Sequence, residues 1–148
     1  MTMWMVRAER GGVLFDTFID EKVAALGWSD AGDFTKSANA SDMIPHFKAA
    51  FPENSDRSNS VGAGQVARFI QEPQIGDHVI TYSPGRRVYA VGTITGAAVF
   101  DPNLITDGDI SWANLRPVDW SGEIQRDDLT QTAKYSLGSL LPFFQIKP

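Results

Sequence analysis

The sequence contains no cysteine and only two histidines, His46 and His78. The first absence excludes a disulfide scaffold, a thiolate zinc site and a cysteine nucleophile together, and it fits a reducing compartment. The histidines stand far apart without metal-ligand spacing, so neither a metal nor a cofactor is expected. No stretch approaches the roughly 18 apolar residues of a membrane span, and the start MTMWMVRAERGG lacks the continuous apolar run of a signal peptide. A soluble, cytoplasmic protein with no membrane partner is expected. Positive charge is scarce too: the formal net charge is −5, which argues against sequence-blind adhesion to nucleic acid, because such affinity comes mainly from neutralised phosphates. Any nucleic-acid binding has to be local and built around a pocket. Glu9-Arg10-Gly11-Gly12 carries neither the Walker pattern nor the G-x-G-x-x-G spacing, so a phosphate-loop or dinucleotide site is excluded as well.

What is present suits one domain spanning 1–148, with 43% hydrophobic residues to build a core and 11% aromatic residues that include Trp4, Trp28, Trp112 and Trp120. The clearest pattern is a β-hairpin between Ile75 and Gly96. His78 to Tyr82 alternates Val79 and Thr81 against Ile80 and Tyr82, Ser83-Pro84-Gly85-Arg86 supplies the reversal, and Val88 to Ile94 returns. Gly92 inside the second strand indicates a bulge, a barrel bend or a close approach to the backbone. Arg86 and Arg87 stand beside Tyr82 and Tyr89, an arrangement suited to an anionic or aromatic ligand or to a solvated charged tip.

Elsewhere, Trp4 to Ala8 reads as a strand, Val13 to Asp20 as a short helix and Val23 to Leu26 as a buried strand that delivers Trp28 to a polar loop. That loop, 29–40, carries Asp30, Asp33, Phe34 and Lys36. Ser41 is expected to cap a helix from Asp42 to about Phe51, and a second helix runs from about Asn59 or Val61 to Gln71 with Val61, Val66, Phe69 and Ile70 buried and Gln65 and Arg68 more exposed. A mobile polar loop is expected over 53–60. Leu104 to Trp112 reads as loop. Asn114 to Trp120 reads as a strand, placed at an edge or bulge by Pro117, with Arg116 toward the hairpin's groove. A short helix follows with Thr130 near its start and Gly138 as its C-cap, and Leu140 to Ile146 closes as a strand. The order favours an α+β fold with a curved sheet or partly closed β-barrel flanked by short helices, and disfavours a doubly wound sheet.

Several pieces together resemble a known group: WMVRA at 4–8, VAALGW at 23–28, Gly-Asp at 32–33, AGQ-x-x-RF at 63–69, GD-x-V at 76–79, YAVG-x-I-x-G at 89–96, R-x-V-x-W at 116–120 and SLGS at 136–139. Their order and spacing are similar to the N-terminal domain of Mrr-like modification-dependent restriction proteins, which is related to the EVE and YTH groups of the PUA-like superfamily. The resemblance implies a PUA-like half-barrel that binds a modified base, most often a modified cytosine, flipped out of double-stranded DNA into an aromatic pocket. It also implies a role as sensor in phage defence, with a fused or associated nuclease. No nuclease motif stands in this chain, so it is expected to be a reader portion or a stand-alone reader, and not an enzyme.

In such a pocket a flipped base needs π-faces, partners along its Watson–Crick edge and a recess for the modification. On that premise Trp28 is one stacking wall and Tyr82 or Trp4 the other, with Phe34 nearby. Asp33 and Asp30 accept from an exocyclic amine, Gln65 and Ser83 fill the remaining edge, and Arg87, Arg86, Arg68 and Lys36 hold phosphates. Each has a structural alternative: Trp4 in the core, Asp33 as a turn cap, Arg68 paired with an acid. A bare methyl contributes about 0.8 kcal/mol on burial, so stronger discrimination is expected for a bulky or polar modification. An RNA reader and a sensor of a free nucleotide or small molecule are the competing functions.

Overall fold

The computed structural model describes residues 1–147. Four helices and nine strands follow one another in an α+β arrangement: β1 (Met3–Val6), α1 (Phe15–Glu21), β2 (Val23–Leu26), α2 (Ala40–Ala50), α3 (Asp56–Gln71), β3 (His78–Ser83), β4 (Val88–Ile94), β5 (Val99–Phe100), β6 (Thr106–Asp107), β7 (Ile110–Ser111), β8 (Asn114–Gln125), α4 (Gln131–Ser136) and β9 (Phe143–Gln145). The main sheet runs β2-β8-β4-β3-β1-β9 and is strongly curled into a half-barrel, with β5 added beside β8. Among the described residues only β1 and β3 pair in parallel.

The hairpin of β3 and β4 is the centre of this sheet. Its alternation does the sorting expected of a sheet buried on both sides: Val79 joins the inner core, while Ile80 and Tyr82 face the opposite cluster with Met5, Tyr89 and Phe144. The curl has a local cause at Gly92. The register between β4 and β8 slips at Val91/Gly92, and a Cβ at Gly92 would stand only 2.6 Å from the Asp119 carbonyl oxygen, so a side chain there would force the two strands apart.

Strand β8 is longer than the sequence suggests and is central instead of at an edge. Its first residues pair with β2 and the remainder with β4. Pro117 is tolerated because its carbonyl accepts from Thr95 N at 2.9 Å; its missing N–H therefore faces the 95–98 excursion, where the ladder has no bond to lose. Arg116, expected toward the hairpin's groove, is 3% exposed. Its guanidinium donates to the carbonyls of Phe69, Ile70, Pro73 and Gly96, fastening the end of α3 to the sheet.

The helices differ from expectation mainly at their starts. Asn39, not Ser41, caps α2, its side chain accepting from Ser41 N and Asp42 N. Ser55 caps α3, so much of the 53–60 stretch is ordered helix. On α3 Val66 and Phe69 are buried as expected, but Val61 is 47% exposed, whereas Gln65 is buried and accepts from Phe143 N at 3.0 Å. A hydrogen-bond acceptor was needed at the start of β9, and glutamine supplies it from inside the core.

Asp77, at the entrance to β3, locks β1 to the hairpin. It accepts from Trp4 Nε1 at 3.0 Å, Gln74 N at 2.9 Å and Thr2 N at 3.3 Å. Burial raises its pKa, but the three donors outweigh burial and the carboxyl titrates below the ordinary aspartate value. A lowered folded-state pKa makes the contribution complete above the unfolded value, about 3.9, and erases it as pH falls through the folded one. Asp77→Asn is therefore expected to show a shallower loss of stability on acidification than the native chain, read from urea midpoints at about pH 7 and about pH 3. Parallel acid limbs in the two proteins would remove Asp77 as the cause.

Candidate functional site

Four non-glycine residues have left-handed backbone conformations among the described residues: Glu9, Lys22, Trp28 and Arg87. Lys22 is the C-cap of α1 and Arg87 ends the hairpin turn, so ordinary turn chemistry accounts for both. Glu9 and Trp28 have no such explanation, and they line the same cleft. Strained backbone held in place by its surroundings is characteristic of binding sites.

The cleft has a volume of about 400 Å³ and opens between the end of β2 and the β7–β8 junction. Trp28 and Trp112 are its largest rings, Phe51, Ile110 and Pro142 add apolar surface, and Glu9, Ser29, Asp30, Asp109 and Ser111 add polar groups. Among the described residues no arginine or lysine lines it. This volume lies at the small end of the range for ligand pockets, about 300 to 1,000 Å³, and suits one ring system with a substituent.

The two walls are fixed independently of any ligand. Ser29 follows Trp28 in a 3-10 turn, Ser29–Ala31; its hydroxyl donates to Ser111 O and accepts from Ala113 N, both at 2.8 Å, and so ties the Trp28 side to the Trp112 side. Asn114 Nδ2 adds a bond to Gly27 O at 2.8 Å. Trp112 Nε1 donates to Glu9 Oε2 at 3.2 Å. On the other flank Trp28 leans on α3 at Gly62, where a Cβ would come within 2.9 Å of both Trp28 Nε1 and Phe47 Cε2. Glycine in that helix is a packing requirement, and the weaker helix propensity is its cost. Among the described residues the indole N–H groups of Trp4, Trp112 and Trp120 all have acceptors, and that of Trp28 has none.

Glu9 is the clearest case of stability given up to hold a side chain. Its φ of 64° and ψ of 177° lie in a region open essentially to glycine alone, at a cost of about 1 to 3 kcal/mol. Glu9→Gly is expected to leave stability unchanged or raise it by up to about 1 kcal/mol, since relief of strain offsets the lost hydrogen bond to Trp112 and the added chain entropy. Thermal denaturation checks this; a marked loss would mean that the carboxylate contributes more than the backbone costs.

Of the residues expected in the pocket, the structure brings Trp28 and Asp30 to the cleft. The others lie elsewhere. Trp4 is buried and stacked on Phe143, with its N–H on Asp77. Tyr82 stacks on Tyr89 at 4.4 Å on the other face of the sheet, and Ser83 ends β3 beside it. Gln65 is committed to Phe143 N. Asp33 closes its own turn, accepting from Thr35 N and Oγ1, and that hydroxyl bond above all lowers its pKa. Phe34 packs against Phe47, and with Asp33 and Lys36 borders a separate hollow. Three of the four expected phosphate ligands are in ion pairs: Arg68 with Glu72, Arg86 with Asp16 and Arg87 with Asp127. The Arg87–Asp127 hydrogen bond raises the arginine's pKa and lowers the aspartate's.

Sequence reasoning missed Trp112 and Glu9. Trp112 follows a stretch without periodicity that was expected to be loop and contains the small hairpin of β6 and β7. Glu9 carries no compositional signal, because its conformation is set by what surrounds it. Among the described residues no three His, Asp or Glu side chains gather as a metal site, and no helix is long and apolar enough to cross a membrane. Residues 4–141 match a family described as a domain of unknown function, DUF8426. No curated protein matches the chain.

Proposed function

The chain belongs to the DUF8426 family, and we propose from its cleft that it is a modified-base reader, which takes a base swung out of a DNA strand between Trp28 and Trp112. The observation that carries this reading is the pairing of two fixed tryptophans with acceptor-rich edges on one small cleft. Base–aromatic stacking contributes about 1 to 3 kcal/mol per base, which offsets the few kcal/mol needed to extrude it. Glu9 and Asp30 suit a base with an exocyclic amino group, and so favour cytosine or adenine over thymine. The curled sheet supports the finer architectural assignment, a PUA-like half-barrel of the EVE and YTH type. On the same reading the domain has no catalytic centre of its own, works in the cytoplasm and serves as the sensor of a modification-dependent restriction system alongside a nuclease.

One observation favours a second reading. The cleft has acidic groups and no basic ones, and the whole chain is acidic, which suits a free nucleoside-like ligand better than a polyanion. Fluorescence-anisotropy titration distinguishes the two. One duplex is prepared with cytosine, methylcytosine, hydroxymethylcytosine, glucosylated cytosine or methyladenine, and each is titrated at two salt concentrations. The reader hypothesis expects tight, salt-sensitive binding to one modified duplex and weak binding to the unmodified one. Equal binding to all, or to none, would sink it, and salt-indifferent binding of the free nucleoside would install the sensor.

A further inference from the structure

A reader of flipped bases needs a place for the phosphate beside the base, and the arginines expected to provide it are neutralised by acidic partners. Two others are not. Among the described residues neither Arg7 nor Arg10 has a carboxylate within ion-pairing distance. Both line a cavity of about 180 Å³ together with Gly11, Gly12, Tyr82 and Pro84.

Arg7 is half-buried. Its Nε donates to Ser139 O at 2.9 Å and its Nη2 to the carbonyls of Leu137 and Ser139. Nη1 has no acceptor among the described residues. Burial lowers the pKa of this guanidinium, the direction expected for a cation held out of water without a counter-ion. Arg10 is exposed at the cavity rim. Gly11 and Gly12 both have φ near +70°, and a Cβ on Gly12 would meet Pro84 Cδ at 2.8 Å, so the loop backbone itself forms a wall that no other residue would allow.

Glu9 is shared between this cavity and the tryptophan cleft. Its carboxylate turns to Trp112 on the cleft side, which leaves the arginine side without a committed anion. We propose that the cavity of Arg7, Arg10, Gly12 and Tyr82 is a phosphate subsite continuous with the Trp28–Trp112 cleft. It rests on the base-binding reading and assigns the ligand as a nucleotide, held at base and phosphate on either side of Glu9. The phosphate comes either from a strand's phosphodiester or from a free nucleotide, and both present the same oxygens to a guanidinium fork.

The test uses Arg10→Ala and Arg10→Glu, because Arg10 is exposed and unpaired and its replacement leaves the packing intact, which unchanged thermal midpoints verify. Arg87→Ala is the control. The probes are the modified duplex, deoxycytidine and deoxycytidine monophosphate. Arg10→Ala is expected to weaken duplex binding several-fold at low salt and to reduce the slope of log K against log salt by about 1, with a larger loss for Arg10→Glu and none for Arg87→Ala. If instead the monophosphate outbinds the nucleoside and only that advantage disappears in the Arg10 variants, the subsite is supported with a free nucleotide as the source. Native protein that binds a modified duplex while both Arg10 variants keep its affinity and salt slope would overturn the subsite and spare the base cleft. Native protein that binds none of the probes would overturn both.

Discussion

Arg116→Met is expected to lower the stability of the fold by about 3 kcal/mol or more. Methionine replaces the aliphatic stem but ends short of the guanidinium, so the loss is mainly one of hydrogen bonds. Four carbonyls at the junction of α3, the Pro73 turn and Gly96 now receive the guanidinium. Two of them, Phe69 and Ile70, belong to the last turn of α3, where carbonyls have no helical partner and a positive charge also complements the helix dipole. Hydrogen bonds from charged donors contribute about 1.5 to 3 kcal/mol each, and their contributions are not additive, which sets the scale. Arg116→Lys retains the charge and loses the fork, so it is expected to recover less than half. Denaturant midpoints at unchanged m-value measure both. A loss below about 1 kcal/mol would show that water replaces the guanidinium at these carbonyls.

That arginine also shows where the sequence was legible and where it was not. The hairpin was readable because period-two alternation at 78–82 and a Pro-Gly turn depend on local chemistry, and Gly92 announced its bulge for the same reason. Arg116 was placed wrongly because an arginine beside a proline suggests an exposed edge strand. Its true surroundings come from α3, some 45 residues away in the chain. Gln65 misled in the same way: polar residues on a helix are exposed by default, and only the position of Phe143 makes a buried acceptor useful there.

The cleft divides along the same line. Trp28 could be singled out because a buried strand ends at it. Trp112, Glu9 and the Ser29 bridge to Ser111 and Ala113 depend on three segments brought together by the curl of the sheet, and no local pattern reports such a meeting. The expected phosphate ligands show the limit of composition alone. A sequence reveals which residues are cationic and offers the local i,i+4 partner of Arg68, whereas only the fold reveals that Asp16 and Asp127 have already matched Arg86 and Arg87.

Replacing Trp28 by alanine is expected to weaken binding of the preferred modified duplex about 5- to 150-fold, the range that corresponds to losing one stacking wall worth 1 to 3 kcal/mol. The substitution also removes packing against Phe47 and α3, so a fall in stability accompanies it and does not by itself speak to function. Gly62→Ala separates the two effects. It deletes nothing and raises helix propensity by about 1 kcal/mol, yet its new Cβ would press within 2.9 Å of Trp28 Nε1 and Phe47 Cε2 and so turn the indole out of register. A pocket wall predicts that both variants lose affinity, with Trp28→Phe intermediate. A purely structural tryptophan predicts that affinity follows the remaining folded fraction, and is restored at a temperature where each variant is fully folded. Anisotropy titrations at such a temperature decide the matter: affinity within twofold of the native value in Trp28→Ala would remove Trp28 from the site, and with it the main support for base stacking in this cleft.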